Sequence, residues 1–393
     1  MIVRQFLHWV RTAQAGERAE ATNALARAYL ISDLSADDRA AAEGAMIMLL
    51  DDPSPLVRGA LADVLATSED APPAVIYALA NDQRDIAVRV LEHSPLFIDA
   101  DLVDMVATGD RAVQAAIASR RPLPRAVSAA IAEVGSAEAC LILIESPDAD
   151  VAPFSLERIV DRFGHLAAVR ETLFDREDLP TPSRHVLVSK LSETLADFVS
   201  ARQWLDPERA QRVAKDACER AVVVLAAETG GDDLGALVRH LRQTAQLNAG
   251  LILRALLSGN TSLFEAALAD LAGLPVARVG SILHDAGAPF RALYDKAGLP
   301  ASTWPAFREA VEALREAVHL DEPGGASRLK RRMIERVLTR SNDATLGDVE
   351  PFMTLLRRFA TEAAREEARR YCDELVADDA VRFGVTVEDR VAA

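Results

Sequence analysis

A short apolar stripe at helical spacing, which recurs along the chain, is the feature that most constrains the fold. Its first copy follows a turn and places apolar side chains on one face of an α-helix: Leu56, Val57, Ala60, Leu61, Val64 and Leu65. The N-cap of this helix is either Asp52, which precedes Pro53, or Ser54, which precedes Pro55. The stretch therefore predicts the end of one helix, a tight turn and the start of the next.

The stripe returns four more times. Later copies begin at Ile86, Ala112, Ala139 and Ala168, so that the starts lie about 26 to 30 residues apart. This interval has room for two short helices and two turns. Apolar partner segments lie between the stripes, and prolines stand mainly at the joins. The pattern favours repeated helix pairs over the alternative, an ordinary helical bundle with coincidental spacing.

Composition agrees with an all-α fold. Half of the 393 residues are hydrophobic but only 5% are aromatic, and Ala, Leu and Val dominate the apolar residues, which suits close helix packing. The net charge of −16 disfavours nonspecific binding of nucleic acid or of anionic membranes by the molecule as a whole. Because the three cysteines are scattered and no apolar run could span a bilayer, we expect a soluble cytoplasmic protein.

Changes in pattern divide the chain into four regions. We predict N-terminal helices over residues 1–34, a repeat array over 35–180, less regular helical pairs over 181–320, and charged helices with a tail over 325–393. The turn at Gly230 and Gly231 is the predicted hinge between the two halves.

Three runs resemble a known family: LDDPSPLVR at residues 50–58, VRVLEHSPL at 88–96 and AIASR at 116–120. They are similar to a bacterial HEAT-like repeat family catalogued as domain of unknown function 2336. The resemblance covers residues 17–144, and the C-terminal half has no matching run. It implies an α–α superhelix, a HEAT-like repeat solenoid followed by a C-terminal helical region, and it brings no catalytic residues with it.

Four arginines of the predicted array are candidate binding residues. Arg58 and Arg89 lie near the start of the second helix of a repeat, and Arg120 and Arg121 lie beside Pro122. A guanidinium can hold a carboxylate or phosphate through two hydrogen bonds, so these side chains could bind a ligand. The alternative, which we favour for Arg58 and Arg89, is structural pairing with nearby acids: Asp52, Asp82 and Asp85.

A second candidate is a basic ridge near the C-terminus, formed by Arg328, Arg332, Arg336 and Arg340. Residues 325–372 hold 11 Lys or Arg and 7 Asp or Glu, against the acidic balance of the whole chain. The ridge could bind nucleic acid or an acidic partner. It could instead be a solvated face, or dock on the acidic remainder of the chain, and these two interpretations are favoured.

No motif in the sequence indicates catalysis. The histidines lack zinc-site spacing, and there is neither a phosphate-binding glycine loop nor a nucleophile elbow, so we expect no cofactor, no metal and no catalytic residue. We therefore predict a non-enzymatic scaffold or adaptor that binds an unidentified protein partner along its repeat surface. The alternative is a nucleic-acid-processing or other enzyme on the same scaffold, which a basic groove with aromatic and carboxylate side chains would favour.

Overall fold

The computed structural model describes residues 8–10, 12–285, 287–320, 333–336, 339 and 350–383. Within these ranges the regular elements are helices, joined by a single isolated β-bridge between Leu123 and Ala149. The predicted all-α fold is confirmed. The chain divides into two compact units, unit 1 (Met1–Lys190) and unit 2 (Leu191–Ala393).

Unit 1 is built from short helices of about the length that the repeat spacing predicts. They are α1 (Ala15–Ile31), α2 (Ala36–Leu49), α3 (Pro55–Leu65), α4 (Pro73–Ala80), α5 (Arg84–His93), α6 (Asp99–Thr108), α7 (Arg111–Ala118), α8 (Arg125–Val134), α9 (Ala137–Glu145), α10 (Pro153–Phe163) and α11 (Ala167–Asp175). The next helix, α12 (Thr181–Ala201), contains the boundary between the units.

The start of α3 shows how local sequence sets a helix boundary in unit 1. Ser54 is the N-cap residue and Pro55 is the first helical residue, so the second of the two predicted caps is the correct one. The Ser54 side chain makes no capping bond; instead its backbone N–H donates to Asp52 Oδ1 at 2.8 Å. Proline suits this position because its fixed φ is helical and its missing N–H would have had no partner.

The helices of unit 1 pack in two alternating sets. Each odd-numbered helix from α1 to α9 packs against the next odd-numbered one, and α2 packs against α4, α6 against α8 and α8 against α10. The apolar stripes form the core between the sets, and Val57, Leu61 and Leu65 of α3 are fully buried. Leu56 departs from the prediction, because this first-turn side chain is 63% exposed.

Unit 2 contains helices of 9 to 34 residues, several of which pack around α16 (Thr261–Ala272). The helices are α13 (Pro207–Glu228), α14 (Gly231–Gln243), α15 (Ala249–Leu257), α16 (Thr261–Ala272), α17 (Val276–Asp285), α18 (Ala288–Lys296), α19 (Trp304–Leu320) and α20 (Glu350–Phe383). α16 packs against α13, α14, α15, α17 and α18. Phe264 of α16 and Phe307 of α19 stack in the core, with ring centroids 6.2 Å apart.

The predicted hinge at Gly230 and Gly231 corresponds to the junction between α13 and α14. Gly231 begins α14 with a φ of +57°, a conformation that glycine adopts without a steric penalty. Both helices belong to unit 2, and the division into compact units lies about forty residues earlier, after Lys190.

Candidate binding surfaces

The Arg58 side chain joins two successive turns of unit 1. Its guanidinium donates to both carboxylate oxygens of Asp82, at 2.6 and 2.9 Å, and to the backbone carbonyl of Asp52 at 2.6 Å. One step earlier in the array, Arg18 of α1 donates to both carboxylate oxygens of Asp52 at 2.8 Å. An arginine near the start of one helix thus bonds to the aspartate that precedes the next odd-numbered helix.

These bonds lower the pKa of the two aspartates. Burial by itself would raise the pKa of Asp52, but hydrogen bonds from Arg18 and from the Ser54 N–H outweigh that effect. Burial of Asp82 is likewise outweighed by the hydrogen bonds from Arg58 and from one backbone N–H. Both pairs have mostly buried side chains, so each is a structural ion pair whose loss would leave a charge with little water around it.

Arg89 has a different environment from Arg58. It pairs with Asp63 of α3, an acid that was not among the predicted partners, and both side chains are about half exposed. An exposed pair of this kind contributes little to stability, because water screens the charges and both side chains lose freedom. Arg89 is therefore accessible at the surface of α5, where a ligand could compete for it.

Arg120 bonds to the end of an earlier helix. Its two terminal nitrogens donate to the carbonyls of Leu91 at 2.6 Å and Ser94 at 2.7 Å, at the C-terminal end of α5. The last carbonyls of a helix have no partner within the helix, and this end carries partial negative charge. The partly buried guanidinium of Arg120 satisfies both carbonyls and connects the segment after α7 to α5.

Hydrogen bonds of the same kind, from a cation to carbonyls at the end of an earlier helix, recur further along unit 1. Arg162 at the end of α10 donates to two carbonyls at the end of α8, at 2.7 Å each, and Arg176 after α11 donates to the Ile144 carbonyl of α9 at 2.9 Å. Lys190 of α12 donates to two carbonyls near the end of α10, at 2.8 and 2.9 Å. In each case a cation caps the helix two places earlier, so we refer to these bonds as cross-repeat caps.

Arg121 faces a cavity of about 580 Å³ next to Arg120. The Arg121 side chain is exposed, and no ionic partner for it lies among the described residues. The acids Glu92 and Asp99 also line this cavity, together with His93, and they balance the two arginines. A lining with balanced charge does not select ligands of one sign.

Of the four ridge residues, only Arg336 lies within the described residues. It makes two hydrogen bonds to the carboxylate of Glu316 and lies 3.7 Å from the buried Glu309, both on α19. This residue is therefore paired inside unit 2. Arg328, Arg332 and Arg340 lie outside the described residues, and their binding role stays a prediction.

A basic groove in unit 2 was not predicted. It has a volume of about 580 Å³, and it lies between α13 and α20 with α15 at its base. Two acids line it, Asp216 and Glu362, against six arginines: Arg220, Arg254, Arg357, Arg358, Arg365 and Arg369. We call this feature the arginine groove.

Arg254 is the buried residue of the arginine groove. Only 7% of the Arg254 side chain is exposed. Its guanidinium donates a hydrogen bond to the Glu362 carboxylate at 2.7 Å, and its Nε lies 3.5 Å from the Glu219 carboxylate. The guanidinium also stacks on the Phe359 ring, with Cζ 4.3 Å from the ring centroid. The Glu362 carboxylate also lies 3.4 Å from the Arg220 guanidinium, and Arg358 forms an ion pair with Asp216. This network joins α15 and α20 to α13 through guanidinium–carboxylate contacts.

Other kinds of site have less support among the described residues. No group of three or more His, Cys, Asp or Glu there could hold a metal ion. Burial raises the pKa of the Cys140 thiol to about 11, so this cysteine stays protonated at neutral pH. No single described helix is both long and apolar enough to cross a bilayer; only α16 and α17 taken together, bent by 113°, reach that length and apolarity.

Comparison with known proteins places the chain in a family. A model described as an uncharacterised protein conserved in bacteria (DUF2336) matches residues 86–347, which is most of the chain. The chain belongs to this family. No curated protein and no solved structure matches it.

The DUF2336 match differs in extent from the resemblance found in the sequence. The runs at 88–96 and 116–120 lie inside the matched residues, but the run at 50–58 precedes them. The C-terminal half, which has no run that resembles the family, is nevertheless matched as far as residue 347. The DUF2336 region thus includes parts of both units, with Arg89, Arg120 and Arg121 inside it and Arg58 before it.

The arginine groove combines residues inside and outside the DUF2336 match. Arg254 lies within it, whereas the α20 wall of the groove follows residue 347. A local signal was present in the sequence, because Arg358, Arg365 and Arg369 have the spacing of one helix face. The contact between the base of the groove and this wall had no such signal, since Arg254 and its partner Glu362 are 108 residues apart.

Proposed function

We propose that this DUF2336 protein is a non-enzymatic interaction scaffold that binds another protein along a HEAT-like α–α superhelix in unit 1. The alternating packing of odd- and even-numbered helices supports the superhelix, because each helix pair contacts mainly its neighbours. Such an array offers an extended surface for a partner without requiring an enclosed pocket.

The observation that carries the proposal is a group of exposed apolar side chains around the turn between α2 and α3. Ile47, Met48 and Leu56 are 42%, 54% and 63% exposed. Large apolar side chains that stay in water at neighbouring positions are typical of surfaces that another protein covers. Arg18 and Arg58, which both bond to Asp52 in this turn, are held in structural ion pairs, which leaves apolar contact as the main attraction.

A nucleic-acid-processing enzyme has weaker support. A nucleic-acid-processing enzyme is expected to have a basic groove with aromatic and carboxylate side chains. The arginine groove supplies the basic and acidic residues, but no aromatic side chain is among the described residues that line it. Its two lining carboxylates, those of Asp216 and Glu362, are already ion-paired with arginines of the groove.

The test is affinity capture with full-length protein and lysate from the native bacterium, using wild type and the double variant Met48→Glu with Leu56→Glu. We expect a protein that co-purifies with wild type and is lost from the double variant, because two charges would have to be buried on binding. Val276→Glu in unit 2 is the matched control, since Val276 is 48% exposed. Circular dichroism checks that all variants stay folded.

Equal capture by wild type and the double variant would contradict the proposal, and so would the absence of any saturable partner. Loss of the partner in the Val276→Glu control as well would show that the effect is not specific to unit 1.

A further inference from the structure

The arginine groove contains positive charge that no described carboxylate neutralises. Arg220, Arg254 and Arg358 are engaged with carboxylates of Asp216, Glu219 and Glu362. Arg365 and Arg369 are exposed, and neither has an ionic partner among the described residues. Arg365 and Arg369, one helical turn apart, thus add two positive charges beside the paired cluster in a chain of net charge −16.

The basic side chains follow one face of α20. Arg358, Glu362, Arg365 and Arg369 succeed one another at intervals of three or four residues, so they line the groove along the helix axis. Arg358 is already paired with Asp216, so the part of this face that is open to a ligand runs from Arg365 to Arg369, about 6 Å along the axis at 1.5 Å per residue. A single carboxylate pairs through two hydrogen bonds with only one guanidinium. A ligand that pairs with both arginines through carboxylates must therefore carry two of them, about one helical turn apart.

We propose that the arginine groove binds an acidic peptide segment of a partner protein, with ligand carboxylates on Arg365 and Arg369. This inference rests on the proposed protein-binding function, but it concerns a surface of unit 2 rather than the repeat array. The groove already pairs guanidinium groups with carboxylates at Arg254 and Arg358. Ligand carboxylates on Arg365 and Arg369 would extend this pairing by about two and three turns of α20 beyond Arg358, in a geometry that arginine favours.

Single-stranded nucleic acid is the other elongated anion to consider. Proteins that bind it combine a basic groove with aromatic side chains on which the bases stack. The described lining of the arginine groove contains arginine, threonine, aspartate and glutamate but no aromatic residue. Among the described residues, the Phe359 ring is buried beneath Arg254 and is not available to a base.

The test is a binding titration of full-length protein by fluorescence polarisation. The probe is a labelled peptide of about eight residues that alternates glutamate with serine, long enough in extended form to span the row. The same peptide with glutamine in place of glutamate is the neutral control. A thymidine oligonucleotide of similar length tests whether the groove binds single-stranded nucleic acid instead.

The test variant is Arg365→Glu with Arg369→Glu. The matched control is Arg239→Glu with Arg278→Glu, two exposed arginines of unit 2 outside the groove.

We expect the glutamate peptide to bind wild type, with an affinity that falls as salt increases. The Arg365→Glu and Arg369→Glu variant should bind about tenfold or more weakly, and the matched control should change less than about twofold. The proposal is overturned if the glutamine peptide binds equally, if the groove variant binds like wild type, if wild type does not bind, or if the oligonucleotide binds more tightly. None of these outcomes affects the capture experiment on the repeat array, which uses a different surface and a native partner.

Discussion

Arg120 and Arg121 are neighbours in the chain, yet they have different surroundings. Arg120 donates to two carbonyls at the end of α5, whereas Arg121 is exposed beside a cavity. Arg58 resembles Arg120 in having its donors occupied, and Arg89 resembles Arg121 in being accessible. Residue type and position in the repeat therefore do not distinguish a structural arginine from one that a ligand could reach.

The ion pair between Arg58 and Asp82 predicts a pH dependence of stability. The folded-state pKa of Asp82 lies below its ordinary value of 3.8, so the pair stabilises the fold above about pH 4 and loses its contribution as the pH falls. We expect the Asp82→Asn variant to be less stable than wild type at pH 7, with a smaller difference in the free energy of unfolding at about pH 3. Urea unfolding at both values measures this difference. The same difference at both values would mean that Asp82 does not contribute through its charge.

At the scale of the element, helices and their buried faces could be predicted because the signals are local. Apolar spacing located α3 and its buried residues Leu61 and Leu65, and the second of two predicted caps, Ser54 followed by Pro55, is at its start. Leu56 fits the same spacing but lies in the first turn, where the structure leaves it exposed. Spacing identifies a helix face, but it does not show which end of that face a neighbouring helix covers.

The position of Leu61 in α3 gives a test of the assigned register. Leu61 is fully buried, so Leu61→Ala should lower the free energy of unfolding by about 2–5 kcal/mol, through lost apolar contact and the cavity that remains. Leu56→Ala removes the same atoms from an exposed site and should change it by less than about 0.5 kcal/mol. Urea denaturation of both variants makes the comparison. Equal changes in the free energy of unfolding would mean that Leu61 does not lie on the buried face of α3.

At the scale of the whole molecule, the sequence allowed the fold class to be predicted but only part of the candidate sites. The arginine groove depends on contacts between Arg254 and Glu362, which are 108 residues apart, and no local pattern reports such a contact. The cross-repeat caps were missed for a related reason. Their acceptors are backbone carbonyls, which every residue has, so the sequence contains no partner residue to recognise.

If the cross-repeat caps hold the helices of unit 1 in register, removing one cap should loosen the array around it. Hydrogen–deuterium exchange of full-length Arg120→Ala, with Arg121→Ala as the neighbouring control, tests this directly. We expect faster exchange at the C-terminal end of α5 and in α7 for Arg120→Ala, no change there for Arg121→Ala, and no change in α16 for either variant. Exchange in α5 and α7 that stays as slow in Arg120→Ala as in wild type would contradict a structural role for these arginines.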